Sequence, residues 1–160
     1  MKRIASALGL SLAIAGSPAI AQGFDPSNAY IGGGISHNSA SNLDDGTGFQ
    51  FLGGYKLDMV DLHPVELAVE VGYMDTGNMS PSGVPGSTSF KGLWTTAVFT
   101  YGLTPELDLI GRAGLDLGDD DGLMVGAGLG YAINRELELR GEYVIRDNIN
   151  SLQANLIFHF

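Results

Sequence analysis

The sequence predicts an all-β chain: an eight-stranded antiparallel transmembrane β-barrel of up-and-down topology, preceded by a cleavable signal peptide. Three observations point there. At the C-terminus Leu152, Ala154, Leu156, Phe158 and Phe160 fall on one parity, and Ser151, Gln153, Asn155 and His159 on the other, with Ile157 the one apolar exception. That is a strand with an oily and a mostly polar face, closed by an aromatic of the kind that sits at a membrane–water interface. At the N-terminus the chain carries the marks of an export signal. Between the two ends, charged residues keep to one parity of each strand-like segment.

The signal comes first. Lys2 and Arg3 form a short basic region, an apolar run extends from Ile4 to about Gly16, and Ala19-Ile20-Ala21 is a small-x-small cleavage site. This divides the chain into a secretory signal over 1–21 and a barrel domain over 22–160, with Gln22 as the first mature residue. The apolar run is shorter than the ~20 residues of a membrane-spanning helix. No other stretch qualifies, so a helical anchor is not expected.

Composition narrows the function classes. The formal net charge is −10, and it becomes −12 once Lys2 and Arg3 are removed, with six basic against eighteen acidic groups left. Nucleic acid is excluded as a partner, because phosphate binding needs a basic face. There is no cysteine, hence neither a disulfide framework nor a thiolate metal site. The 24 glycines follow no strict repeat, which excludes a collagen-like chain. No cofactor is expected.

Eight segments with period-two patterning follow, over 28–37, 47–57, 65–75, 91–102, 107–118, 122–132, 136–146 and 151–160. Tight turns lie at 102–106 and 133–135, and a longer one runs from Asp58 to Pro64. At the opposite end the connections are 38–46, 76–90, 119–121 and 147–150, the 76–90 stretch being the longest and rich in Gly, Ser and Pro. An even strand number puts both termini on one side, the periplasm.

The parity of the charges is the sharpest discriminator. In the third segment Glu66 and Glu70 oppose Leu67, Val69, Val71 and Tyr73. In the fifth, Asp108, Arg112 and Asp116 oppose Leu107, Leu109, Leu115 and Leu117; in the seventh, Glu138, Arg140 and Glu142 oppose Leu137, Leu139, Tyr143 and Ile145. A charge on the lipid face near mid-bilayer costs ~2–4 kcal/mol, which accounts for the segregation. A soluble sandwich would alternate too, but nothing in it requires aromatics at both strand ends. Here Tyr55, Tyr101, Tyr131, Phe158 and Phe160 stand at the periplasmic ends, and Tyr73 and Tyr143 at the opposite ends near Phe49 and Phe51. These are two interfacial belts.

The segments AYIGGGIS, FLGGYKL, AVEVGYMD, GLTPELDLIGRAG, GAGLGYAINRELELRGEYVI and NLIFHF, in that order and spacing, resemble the eight-stranded outer-membrane barrels of the OmpA transmembrane-domain, OmpX and opacity-protein type. The resemblance covers nearly all of the chain after the signal. It implies residence in the outer membrane of a Gram-negative bacterium. It further implies a charged lumen cluster to which Glu70 and Arg140 belong, with Arg112 matching a further lumen arginine. Leu156, Phe158 and Phe160 correspond to the C-terminal signal for barrel assembly. The implied partners are outer-membrane lipids and lipopolysaccharide, with periplasmic chaperones and the barrel-assembly machinery during biogenesis, for a monomeric protein. The sequence stops at Phe160, where OmpA itself continues into a peptidoglycan-binding domain, so a cell-wall tether is not expected.

The inward-facing ionisable groups are Lys56, Glu66, Glu70, Asp108, Arg112, Asp116, Glu138, Arg140 and Glu142. An eight-stranded barrel is just wide enough for its side chains, so these groups must pair or keep water. The expected role is a structural ion-pair network in a non-enzymatic envelope or surface-interaction protein. The alternatives are a narrow, cation-preferring porin-like channel, favoured by six carboxylates against three cations and by space above the inward glycines Gly32, Gly34, Gly54, Gly72, Gly114, Gly126, Gly128 and Gly130, and an adhesin using loop 76–90. His37-Asn38-Ser39 has the residue types of a hydrolase site but lacks a context that would orient them. Asp119-Asp120-Asp121 has oxygen ligands for a divalent cation but reads as a solvated turn. His63 and His159 have no evident partner, so no metal site is expected. Parity turns Trp94 into the lumen.

Overall fold

The computed structural model describes residues 25–40, 43–80, 86–119 and 121–160. The expected signal peptide and its cleavage site lie outside the described residues. After a short 3₁₀ turn at Pro26–Asn28, eight strands follow: β1 Ala29–Ala40, β2 Gly46–Lys56, β3 Val65–Asp75, β4 Lys91–Gly102, β5 Leu107–Asp116, β6 Gly122–Ala132, β7 Leu137–Ile145 and β8 Ile149–His159. Each pairs antiparallel with its neighbour in sequence, and β1 pairs with β8 from Tyr30↔His159 to Ala40↔Ile149, closing the barrel. Closure leaves no strand edge, and so no backbone polar group is turned unpaired toward lipid.

The strands sit close to their expected positions, with differences of two or more residues at three ends. β1 runs three residues past 37, because Ser39 and Ala40 still find β8 partners in Asn150 and Ile149. The same pairing starts β8 at Ile149, not at 151. β5 ends at Asp116, where the Asp116 carboxylate accepts the Gly118 N–H at 3.2 Å and turns the chain.

Alternation decides which face each residue takes. Ile35, Phe51, Val71, Leu93, Leu123, Leu139 and Leu152 point outward and are exposed; Trp94, Ile110, Met124, Val144 and Ile157 point inward and are buried. Ile157, the parity exception of the last strand, is one of the apolar residues that fill the lumen. Trp94 also lies inside, as its parity indicates.

The inward glycines do not leave the open space that the sequence suggested. A Cβ on Gly54 would land inside the Tyr30 ring, and one on Gly72 inside the Trp94 indole. Gly32 takes Ile157, and Gly128 takes Glu142, in the same way. Each glycine is thus the seat of a bulky side chain from the next strand, and native packing leaves little slack for additions. The lipid-facing Gly111 and Gly141 differ, since a Cβ there would meet nothing within 4 Å.

This contrast is measurable. Gly54→Ala is expected to destabilise the barrel by ~1–3 kcal/mol through overpacking. Gly111→Ala is expected to be neutral or to stabilise it by up to ~1 kcal/mol through the unfolded chain. Urea unfolding from lipid vesicles reads both, and equal effects would contradict the packing described.

Candidate functional site, the charged lumen

The middle of the lumen is an ion-pair cluster drawn from three strands. Glu70 on β3, Arg112 on β5, and Glu138, Arg140 and Glu142 on β7 all occupy inward parity, and all are buried. Arg112 grips Glu142 with two parallel bonds, Nε to Oε1 at 2.8 Å and Nη2 to Oε2 at 2.7 Å. Its Nη2 also lies 3.2 Å from Glu70 Oε2. Arg140 donates from Nη1 to Glu70 Oε1 at 2.6 Å and from Nε to Glu138 Oε1 at 3.0 Å. The Tyr30 hydroxyl donates to the same Glu70 oxygen at 2.9 Å. Both guanidinium groups lie over aromatic rings, Arg112 at 5.4 Å from the Trp94 centroid and Arg140 at 5.8 Å from that of Tyr30. Such contacts strengthen when water is excluded.

The sequence of β6 is what lets these groups meet. β6 lies between β5 and β7, and its inward positions between Met124 and Ala132 are Gly126, Gly128 and Gly130. A Cβ on Gly126 would approach Arg112 Cγ to 3.0 Å, and Gly128 and Gly130 are overlain by Glu142 and Glu138. With no side chains of its own there, β6 allows Arg112 to reach Glu142 across it. Register and composition together create the fork.

Two further layers flank this cluster. Toward the loop end, Arg146 Nε donates to Asp116 at 2.9 Å and its Nη1 to Ser151 Oγ at 2.9 Å, while Ser151 donates to Asn38 at 2.7 Å. Asn38 in turn donates to the carbonyl of Thr76 at 3.1 Å, which ties the long 76–90 loop to the lumen. Gln50 Nε2 bridges Gln153 at 2.8 Å and Asn155 at 2.7 Å. The sequence reading placed Gln153 and Asn155 on the polar face of the last strand without assigning them a role, and omitted Arg146, Gln50 and Tyr30. Arg146 lies within the predicted segment 136–146 on the parity of Glu138, Arg140 and Glu142, so the parity rule already reached it, and extending that rule to uncharged polar residues would have found the rest.

Of the nine ionisable residues singled out in the sequence, six are buried: Glu70, Arg112, Asp116, Glu138, Arg140 and Glu142. The other three lie at the mouth that carries the termini. Lys56 Nζ pairs with Glu66 Oε2 at 3.3 Å, in the open, and Asp108 is partly buried. His159, for which the sequence named no partner, lies 3.0 Å from Glu138 Oε2, and its ring stacks at a tilt 5.3 Å from that of Tyr30.

His37 pairs with Asp45 at 3.1 Å on the exposed rim. The Asp119 carboxylate accepts the Lys91 backbone N–H at 3.0 Å. Among the described residues no group of three or more His, Asp or Glu side chains is arranged to hold a metal ion.

The aromatics form two rings on the outer wall. Tyr73, Tyr143, Phe49 and Phe51 are exposed toward the loop end; Tyr101, Tyr131, Phe158 and Phe160 are exposed toward the termini. Tyr55 is half-buried, its hydroxyl accepting the Asp25 N–H at 3.0 Å. Leu156 faces outward beside Phe158.

Breaking a buried pair strands a charge and costs ~3–5 kcal/mol, whereas an exposed pair contributes ~0–1 kcal/mol. Arg140→Ala, which removes the shared cation of the buried Glu70 and Glu138, is therefore expected to destabilise the barrel by ~3–5 kcal/mol, and Lys56→Ala by under ~1 kcal/mol. Equilibrium unfolding in vesicles distinguishes them. Equal losses would show that the central cluster is hydrated like the mouth.

Comparison with known proteins completes the description. No curated protein matches the sequence. Among solved structures, a de novo designed transmembrane β-barrel superposes with a TM-score of 0.58 at 18% identity, covering 86% of this chain and 98% of the design. The outer membrane protein Ail of Yersinia pestis, in a phospholipid nanodisc, gives 0.59 at 13% identity over 82% of this chain and 98% of its own. Ail has also been solved with the heparin analogue sucrose octasulfate. Neisserial surface protein A gives 0.58 at 17% identity over 84% and 98% of the two chains. The profile of the outer membrane protein beta-barrel domain matches residues 5–158. The chain belongs to that family, and is an outer-membrane protein of the Gram-negative envelope.

Proposed function

We propose that this protein is a non-enzymatic element of the outer membrane whose lumen is a packed core and not a pore. The observation that carries this reading is the central cluster, in which the side chains of Glu70, Arg112 and Glu142 are at most 1% exposed. An ion crossing at that level would have to part charge-assisted bonds in a region of low dielectric, where an unpaired charge is most costly. The apolar residues Ile110, Val98, Met124 and Val144 fill the space around it. Leu156, Phe158 and Phe160 present the outward C-terminal face that the assembly machinery would read. Lipopolysaccharide and phospholipid contact the remainder of the wall, and the barrel works as a monomer.

A second reading, surface binding through loop 76–90, has one observation in its favour. The loop carries the β3–β4 ladder beyond the barrel, with paired bonds between Met79 and Thr88 at 2.7 and 2.8 Å. Met79 is buried while Asn78, Ser80, Ser87 and Thr88 are exposed. A polyanion such as the ligand of Ail is a poor match for this end, because Asp44, Asp45, Asp119, Asp121 and Asp147 are all exposed there. An uncharged or cationic surface fits better.

Planar-bilayer recording tests the first reading. The purified protein is expected to give no unitary conductance steps. Reproducible steps that Glu70→Gln or Arg140→Ala abolish would overturn it. Deleting Gly77–Phe90 tests the second: folding is expected to survive, and any binding to host cells or matrix to be lost.

A further inference from the structure

We propose that the lumen chamber at the end carrying the termini binds small organic ammonium ions, linear diamines being the class it fits. The two mouths of the barrel differ. At the loop end the crevice beside Met74, Asp116, Arg146 and Ile149 has a volume of only about 10 Å³. At the other end a chamber of about 340 Å³ reaches down to Tyr30, Glu138 and Arg140. It adjoins a wider antechamber of about 720 Å³ beneath the 57–64 turn, and Lys56, Glu66 and Asp108 line both. Among the described residues the lumen is thus a cup open at the end carrying the termini and floored by the ion-pair cluster.

The charges in this cup are unevenly satisfied. Arg140 is committed to Glu70 and Glu138, His159 to Glu138, and Lys56 to Glu66. Asp108 has no hydrogen-bond or ion-pair partner among the described residues. It lies within electrostatic range of two carboxylates, Glu138 and Glu66, and of two cations that are already paired, Lys56 and Arg140. Asp58 and Asp61, further out in the antechamber, bond to neutral groups, the Asn28 amide and the His63 backbone N–H. An unneutralised carboxylate held in a recess attracts a cation, and low-dielectric walls focus that field.

The walls select the kind of cation. A dehydrated divalent metal needs several convergent oxygens, and no such group is present among the described residues. Between the acids, the chamber is faced by Ala68, Ala132 and Tyr30. An apolar surface beside isolated carboxylates suits a methylene stem carrying an ammonium, which brings three donors on a compact charge. Asp108 takes one ammonium, and the Asp58 and Asp61 side of the antechamber takes the second.

Titration of 1,5-diaminopentane into isotopically labelled protein in nanodiscs, followed by amide shifts, tests the proposal. Saturable shifts are expected at Thr100, Gly102 and Asp108, with none from the uncharged 1,5-pentanediol. Asp108→Asn is expected to weaken binding at least tenfold, and Glu66→Gln, as a second and independent variant, severalfold. Each variant is first shown to retain the barrel spectrum. Shifts of equal size at the loop-end acids Asp44 and Asp147, saturation by the diol, or unchanged affinity in both variants would overturn it. These outcomes do not depend on whether ions traverse the barrel.

Discussion

Hydrocarbon offers a backbone N–H or C=O no hydrogen-bond partner, and the architecture of this chain follows from that fact. A sheet immersed in lipid must close, and here β1 meets β8 to do so. Closure separates two surfaces of opposite requirement. The outer one must be apolar and uncharged. The inner one is narrow and must be filled, and period-two alternation delivers each residue to one or the other. The buried ion pairs are therefore a consequence of exclusion from the lipid face as much as a source of stability. Buried pairs are seldom more stabilising than well-packed apolar residues.

The filling of the lumen is neither uniform nor symmetrical. Glycines on β6 and at Gly54 and Gly72 make room for large side chains of adjacent strands, so the cross-section is packed although many inward positions have no side chain. From the centre toward the loop end, polar groups are joined in a chain from Asp116 through Arg146, Ser151 and Asn38 to the base of the 76–90 loop. Toward the termini the packing loosens into a chamber. Among the described residues the barrel thus has a closely packed half toward the loops and a more open half toward the termini.

The architecture was legible in the sequence because alternation, turns and charge parity all express one constraint. Glu70, Arg112, Arg140 and Glu142 could be assigned to the interior from parity alone, since any one of them facing lipid would cost ~2–4 kcal/mol. Their pairing could not. Which carboxylate Arg112 takes depends on register and on the absence of side chains along β6, and neither is visible within the strands that carry the charges. The glycines misled for a related reason. Gly54 and Gly72 suggest space when each strand is read by itself, whereas the residues that occupy that space, Tyr30 and Trp94, belong to neighbouring strands. Arg146 stood in the predicted seventh segment, on the parity of Glu138, Arg140 and Glu142, but was left out of the inward set; the structure buries it one residue past the end of β7, where alternation still holds.

The central claim is that lipid lies outside a closed cylinder and the ionised groups lie inside. The chain has no native cysteine, so nitroxide labels can be introduced singly along β8 from Ser151 to Phe158. Oxygen, which partitions into hydrocarbon, is expected to relax labels at 152, 154, 156 and 158 strongly, and those at 151, 153, 155 and 157 weakly. A polar nickel chelate is expected to reach none of the outward set at mid-bilayer depth. An inverted pattern, or free access of the chelate to both sets, would contradict the account.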